Sequence, residues 1–451
     1  MKNIKRIRFT KISARTWIRI LMFVLIYCSV RQVNAQLPSN PLSTKEDSTK
    51  EDSLRFRSFH QPGQGFLLVS QKDGSLIISL YATVRYLNQG GLNDSYTDAF
   101  GRDKTISKRN DMQFQKVVLY FRGWLFDPKF RYLTYIWTAN TSQGLGAQVV
   151  VAGNFQYQVN KYLDLGVGIA ALPTTRSLLG QWPGWLRQDA RPMAEEFFRG
   201  SYTSGIWAQG EVAKGLYYKT MLGDNLSQLG IDAGQLDYKF DTWSTLIWWS
   251  SKEYGRLAPY GDFEKHEKLA STFGAGFTTS SEDSQNQPAT NAPENSQIRL
   301  SDGTLLFSVN AFNNGSNVKN AQYHLFSFNG GLKYKGFSVD GEYFNRWLTN
   351  IVATGPIPVS KLNDNGFALQ ASGMIIDGTL QAYGIYSNVN GQYGQPYEFS
   401  IGVNVFPFHS KTFRMNGEYI YSKGSPVGYY AFPTVVGATG STIMLNLELY
   451  Y

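Results

Sequence analysis

Cysteine is almost missing from these 451 residues, the one instance being Cys28. A lipidated cysteine normally follows a small residue, whereas Cys28 follows Leu25, Ile26 and Tyr27, so it is not read as a lipid attachment site. One cysteine builds neither a disulfide framework nor a thiolate metal site. Histidine is scarce too, at His60, His266, His324 and His409. None stands beside a serine and an aspartate at strand spacing. Glu195 and Glu196 are adjacent and would point to opposite sides of a strand, giving no acid/base pair. No catalytic residue, metal-ligand set or cofactor motif emerges, and the chain is read as a non-enzyme.

Long apolar runs are also lacking. Residues 20–27 are the clearest one, too short for the roughly 20 residues that carry a helix across a bilayer. The run follows the basic residues Lys2, Lys5, Arg6, Arg8, Lys11, Arg15 and Arg19 and precedes Val33-Asn34-Ala35. That is the pattern of an export signal, so residues 1–35 are expected to be removed. No later segment approaches a spanning helix, which excludes helical membrane topology. Net charge is lacking once the signal is set aside. Eight Lys or Arg and no acid lie in residues 1–35, so a formal charge of +9 falls to about +1 for the rest. The case for nucleic-acid binding goes with it.

What the sequence does hold is aromatic side chains, 28 Tyr, 29 Phe and 10 Trp, together with 44 Gly, at a mean hydropathy of −0.28. Many rings with low net hydrophobicity suit a sheet with one lipid face and one wet face. Residues 36–70 begin with a polar stretch carrying the near-repeat Thr44-Lys45-Glu46-Asp47-Ser48 and Thr49-Lys50-Glu51-Asp52-Ser53, and read as a flexible periplasmic lead. Residues 71–451 alternate apolar and polar positions with the period of a strand. Ile443, Leu445, Leu447 and Leu449 oppose Met444, Asn446, Glu448 and Tyr450; Leu76, Ile78, Leu80 and Val84 oppose Ser75, Ser79, Tyr81 and Arg85.

Tight polar turns are expected at Asp127-Pro128, Asn160-Lys161, Lys214-Gly215, Asp241, Lys335-Gly336 and Asp377-Gly378, alternating with longer connections. Such alternation, with strands of ten to fourteen residues, predicts an all-β fold: a transmembrane antiparallel up-and-down β-barrel of about 16 strands, with 18 as the alternative. Residues 280–322 interrupt the pattern, with an irregular connection expected at 280–297 and one strand near 304–312. A secreted sandwich would also alternate, but with strands nearer six residues. Tyr86, Trp124, Tyr132, Trp347, Tyr421 and Tyr450 lie near strand ends, as interface girdles do. The aromatic Tyr451 after an alternating strand is similar to an outer-membrane insertion signal. Only about 35 residues separate Gln36 from the first strand, which speaks against a plugged receptor of about 22 strands.

On the faces assigned to the lumen the charges are Arg85, Lys116, Arg122, Lys333, Arg346 and Arg414 against Asp340, Glu342 and Glu418. Residues 173–202 form the longest connection of the first half. They carry Arg176, Arg187, Arg191, Glu195, Glu196 and Arg199, which become constriction residues if the loop folds inward and solvated charges if it does not. The pattern implies a porin of the outer membrane, in contact with its lipid and passing small hydrophilic solutes or ions. A binding or scaffold barrel with a blocked lumen is the second reading, and a barrel enzyme the third.

The segment Phe114-Gln115-Lys116-Val117-Val118-Leu119-Tyr120-Phe121-Arg122-Gly123-Trp124-Leu125-Phe126-Asp127-Pro128-Lys129-Phe130-Arg131-Tyr132 resembles an early hairpin of the phosphate-selective porin O and P family. Leu163-Asp164-Leu165-Gly166-Val167-Gly168 and Phe337-Ser338-Val339-Asp340-Gly341-Glu342-Tyr343 resemble later strands. At the loop start Pro173-Thr174-Thr175-Arg176 stands where the family has a Pro-Phe-Gly-like motif. The resemblance implies a 16-stranded homotrimeric porin and passage of anions such as phosphate, although the family's anion-passing arginines and lysines are not matched residue by residue.

Overall fold

A computed structural model describes residues 65–139, 148–179, 182–228, 239–257, 259–287, 297–428 and 432–451. The expected signal peptide and most of the expected lead lie outside the described residues. The strands are β1 (Phe66–Gln71), β2 (Gly74–Leu92), β3 (Ser95–Thr97), β4 (Asp103–Thr105), β5 (Asn110–Leu125), β6 (Asp127–Ala139), β7 (Gln148–Asn160), β8 (Leu163–Ala171), β9 (Tyr202–Ala213) and β10 (Leu216–Gly223). They continue with β11 (Thr242–Ser250), β12 (Ala270–Asp283), β13 (Val318–Tyr334), β14 (Phe337–Ala353), β15 (Leu362–Ile376), β16 (Leu380–Asn390), β17 (Tyr397–Val405), β18 (Phe413–Lys423) and β19 (Gly440–Tyr450). One short helix, α1 (Met193–Phe198), lies between β8 and β9.

Each strand from β5 to β19 pairs antiparallel with the next, β2 pairs with β5, and β19 returns to β2 with Leu445 opposite Tyr86 and Tyr450 opposite Tyr81. Of the seventeen strands in this sheet, all but β1 form a closed ring of sixteen. Closure leaves no wall edge with unsatisfied backbone, the condition for a sheet to cross hydrocarbon. The seam ends with a reciprocal pair, Leu80 N donating to Tyr451 O at 2.9 Å and Tyr451 N to Leu80 O at 2.8 Å. Beyond it β1 takes over the pairing to β2, and Phe66 stacks on Tyr451 with ring centroids 4.3 Å apart. Phe66 to Ser70, assigned above to the flexible lead, are therefore strand: their alternate backbone groups find the part of β2 that β19 does not reach.

The burial pattern is the reverse of a soluble sandwich. Phe155 and Ile401 are 52% and 63% exposed, whereas Ser244, Thr278 and Asn404 on the opposite faces are fully buried. Apolar residues outside and polar residues inside are what a lipid-facing wall around a polar interior requires. Of the residues assigned to the lumen from the alternation, Arg85, Arg122, Lys333, Asp340, Glu342, Arg346, Arg414 and Glu418 are buried and Lys116 is half-buried. Among the girdle candidates, Tyr450 instead turns inward to meet Tyr81 edge-on at 6.4 Å, and Trp124 shares the inner register of Arg122.

Three details differ from the sequence reading. Residues 304–312 form no strand; they are turns following an isolated bridge between Arg299 and Leu305, and residues 280–283 belong to β12. Asp241 does not make a tight turn but ends the connection 224–241, because Thr242 is already the first paired residue of β11. The end of the barrel that carries the tight turns at 126, 161–162, 214–215 and 335–336 carries a long connection as well, residues 251–269 between β11 and β12.

A charge on the outer face should be costly in this arrangement. Ile401→Arg, at mid-strand in β17, is expected to lose about 2–4 kcal/mol of folding free energy in phospholipid vesicles. Ile401→Ala should lose far less in the same urea titration, and equal losses would contradict the assigned lipid face.

Candidate functional site in the lumen

Residues 172–179 leave β8 and, with residues 182–201 ahead of β9, run inside the ring. A 3-10 turn, Arg176–Leu179, opens the segment and α1 closes it. The chain folds inward here because it alternates apolar anchors with charges that find partners on the wall. Leu172, Met193, Phe197 and Phe198 pack with wall residues Tyr323 and Phe344, and with Ile298, Phe312 and Phe432 of two other connections. All six sequence-predicted loop residues, Arg176, Arg187, Arg191, Glu195, Glu196 and Arg199, are buried, none more than 8% exposed.

Arg187 is the most completely held. Its Nε donates to Glu418 Oε1 at 2.8 Å, its Nη2 to Glu398 Oε2 at 3.1 Å and Ser400 Oγ at 3.0 Å, and its Nη1 to the Arg191 carbonyl at 2.9 Å. The second Glu398 oxygen accepts from Met193 N at 2.5 Å, and Ala194 N donates to Ser387 Oγ at 2.8 Å. The wall thus satisfies amides at the start of α1 that the helix cannot satisfy itself.

Arg176 donates through Nη1 to Asp340 Oδ1 at 2.7 Å and through its backbone N to Glu342 Oε1 at 3.0 Å, while Nη2 meets the Tyr254 hydroxyl. Gly331 makes room for this cluster: a Cβ there would sit 2.4 Å from Asp340 Oδ1 and 2.8 Å from Arg176 Nη1. Glu196 and Arg199 form a two-bond pair at 2.7 and 2.8 Å, and Arg191 lies 4.4 Å over the Trp185 ring. Burial, opposed by Arg191 and Arg199, pushes the Glu195 carboxyl up to about 7. For Glu196 the burial is outweighed by Arg199 and its hydrogen bonds, which hold that carboxyl below its ordinary value.

The predicted wall charges serve the same segment. Arg85 Nη2 donates to Gln188 O at 2.8 Å, Lys116 pairs with Asp189 at 3.0 Å, and Arg414 bonds both Trp185 O at 2.6 Å and Glu448 at 2.8 Å. Arg346 pairs with Asp364 at 2.6 Å beneath Phe197, its guanidinium 4.2 Å from the ring centroid. Lys333 Nζ donates to Pro259 O at 2.5 Å, in the connection 251–269, and Arg122 is buried on the same inner face. Arginines and carboxylates therefore meet in direct pairs and are not solvated charges.

Sequence reasoning missed Asp189, Asp364, Glu398 and Glu448. The alternation Tyr397-Glu398-Phe399-Ser400 carries the signal for Glu398, since Phe399 faces out. It also missed residues 251–269, which fold inward from the opposite mouth until Tyr260 N reaches Gly184 O at 3.0 Å. Tyr254 and Tyr260 place their ring centroids 5.4 and 4.6 Å from the Arg176 guanidinium.

No family model matches the chain, and no curated protein does. Solved structures do. The outer-membrane expressed OmpT of Vibrio cholerae matches with a TM-score of 0.51 at 11% identity, over 85% of this chain and 99% of that one. An anion-selective porin from Comamonas acidovorans matches with a TM-score of 0.51 at 10% identity, over 84% of this chain and 100% of that one.

The fold is that of a porin-type barrel.

The likeness extends to the fold and stops short of the phosphate-selective porin O and P family. Two small cavities border the inward segment of this porin-type barrel. One cavity of about 30 Å³ lies against Tyr135, Asn154, Gln156, Tyr202, Trp207 and Lys219. Another of about 10 Å³ lies between Arg176, Tyr254 and Asn329. Each is of the order of a single water.

Two expectations follow. Arg187→Met leaves Glu398 and Glu418 buried without their cation and should cost about 3–5 kcal/mol in denaturant titrations of the vesicle-inserted barrel; a cost under 1 kcal/mol would contradict the buried triad. Glu195 binds its proton more tightly folded than unfolded, so its contribution is complete below the ordinary carboxylate range and is lost as pH rises through about 7. Amide protection in residues 193–198, corrected for intrinsic exchange, should therefore fall between pH 5 and pH 8 more steeply in the native chain than in Glu195→Gln. Equal slopes would refute this.

Proposed function

We propose that this protein is an outer-membrane channel for small hydrophilic solutes, with residues 172–201 setting its narrowest section. The observation that carries the reading is the inside-out wall: sixteen strands with an apolar exterior suited to lipid and an interior of Ser, Thr, Asn, Gln and charged side chains. The porin-type fold supports it. Outer-membrane location, contact with membrane lipid and a homotrimeric assembly belong to the same proposal.

Selection is by size more than by charge. The wall arginines that an anion path would need are already committed: Arg346 to Asp364, Arg414 to Glu448, and Arg85 to the loop backbone. The protein is read as a non-enzyme. His324 faces outward between Thr279 and the Trp347 ring, His409 bonds Thr379 in a turn, and His266 bonds Asp262 beside Gly336.

A barrel with a blocked lumen is the second reading, favoured by the apolar cluster that Leu172, Phe197 and Phe198 form inside the ring. Reconstitution of the purified chain in a planar bilayer separates the two. The channel reading predicts small stepwise currents, a reversal potential near zero in a salt gradient, and a larger step in Arg187→Met, whose loop is less firmly held. A silent bilayer with verified insertion supports the blocked barrel, and a strongly anion- or cation-selective current contradicts the pairing argument.

A further inference from the structure

The two segments that enter the ring are fastened differently. Arg176, Arg187, Arg191 and Arg199 of the inward loop meet their carboxylates in pairs of which no side chain is more than 10% exposed. Residues 262–268, the return limb of the connection between β11 and β12, are held to the rim by ion pairs that water reaches. Lys265 pairs with Asp377 and Lys411 with Glu264, and these four side chains are between 34% and 63% exposed. Charges at that exposure attract weakly and are screened by salt, whereas buried pairs are screened much less.

The limb lies across the tight-turn mouth as a chord. Gly336 N donates to Asp262 Oδ2 at 2.8 Å and Lys335 N to His266 O at 2.8 Å, which ties the limb to the turn between β13 and β14. Lys265 reaches Asp377 in the turn between β15 and β16. Glu264 reaches Lys411 in the turn between β17 and β18, where Phe263 also meets Phe406 edge-on with ring centroids 4.8 Å apart. One short segment leading into β12 thus touches three turns that follow one another round the ring as far as β18. The turns at 126, 161–162 and 214–215 only join neighbouring strands at the rim. A chord can obstruct a mouth; a rim turn cannot.

The backbone of the limb is set for release. Gly261, at its start, has φ +80°, and Lys265, in its middle, is held at φ +57°, a left-handed conformation that a side chain adopts only at a cost. Such strain persists while surrounding contacts impose it, and the side-chain contact of Lys265 is an exposed ion pair. The bonds to the 335–336 turn are backbone bonds and one buried carboxylate, which salt leaves alone, so the two exposed pairs supply the salt-dependent part of the closure. We propose that residues 262–268 are a salt-operated flap over the tight-turn mouth. It is closed at low ionic strength and swings out, between Gly261 and the exposed Leu269, as salt screens the pairs Lys265–Asp377 and Glu264–Lys411. This rests on the channel reading above and adds to it a second barrier, at the mouth opposite the loop, that ionic strength controls.

The full-length barrel is tested twice, with potassium chloride as the probe. In detergent, amide protection across residues 262–268 should fall roughly fivefold between about 0.1 M and 1 M salt, while protection across residues 193–198, held by buried pairs, stays constant. In planar bilayers the conductance divided by that of the bulk solution should rise over the same range. Glu264→Lys, which sets like charges against each other at Lys411, should give the low protection and the high relative conductance already at 0.1 M. Glu264→Lys combined with Lys411→Glu should restore the native values of both. Heat-dependent gel mobility verifies that each variant is a folded barrel. Protection across 262–268 that ignores salt, or a charge swap that fails to restore it in a folded barrel, overturns the flap. Salt-dependent protection with a relative conductance that is the same at every salt and in every variant overturns its role as a barrier and leaves the channel standing. Salt-dependent protection, restored by the charge swap, in a barrel that never conducts keeps the flap and overturns the channel.

Discussion

A sheet that crosses hydrocarbon has no water to satisfy its edges, so every backbone N–H and C=O in the wall must find a strand. Closure of β19 on β2 meets that demand, and the rest of the molecule follows from it. Once the ring is closed, every second side chain must face inward, and the sequence places Ser, Thr, Asn and Gln there together with charged residues. The interior that results is polar and too wide to be filled by the wall alone. Residues 172–201 and 251–269 fill it from opposite mouths.

What fixes the filling is the electrostatics of a confined space. A buried guanidinium is tolerable only when its donors are met, and Arg187 meets Glu398, Glu418, Ser400 and a carbonyl. The charges expected at a constriction are in this sense fasteners, holding the loop against one half of the wall. The other half keeps its rings and amides. An asymmetry of this kind follows from where the acids stand: the strands from β14 onward carry nearly all the inward carboxylates, so the arginines of the loop gather there.

Much of this architecture is written in the period of the sequence. Alternation is strict in β2, β14, β18 and β19, and the polar members Arg85, Asp340, Arg346 and Glu418 are buried in the fold. It failed where tertiary contact overrides local pattern. Residues 304–312 contain apolar side chains at strand-like spacing, yet Leu306, Ala311 and Phe312 are buried in the lumenal cluster as turns. Asp241 looks like a turn residue and ends a long connection, because the register of β10 with β11 is set by Trp243 and its neighbours and not by the local turn signal. The inward course of 251–269 had no local signature, since Tyr254 and Tyr260 acquire their role only from Arg176, which is distant in sequence. Residue types told which side chains were charged; only the closed ring told which of them would meet.

Attachment of residues 172–201 to the inner wall is the central claim, and a covalent tether tests it most directly. Ala194 N lies 2.8 Å from Ser387 Oγ, so cysteines introduced by Ala194→Cys and Ser387→Cys should join under mild oxidation in isolated outer membranes. Near-complete disulfide formation, with heat-dependent gel mobility unchanged from the native barrel, is the predicted result. Two free thiols that a membrane-impermeant maleimide labels from outside would place the loop outside the lumen and contradict the account.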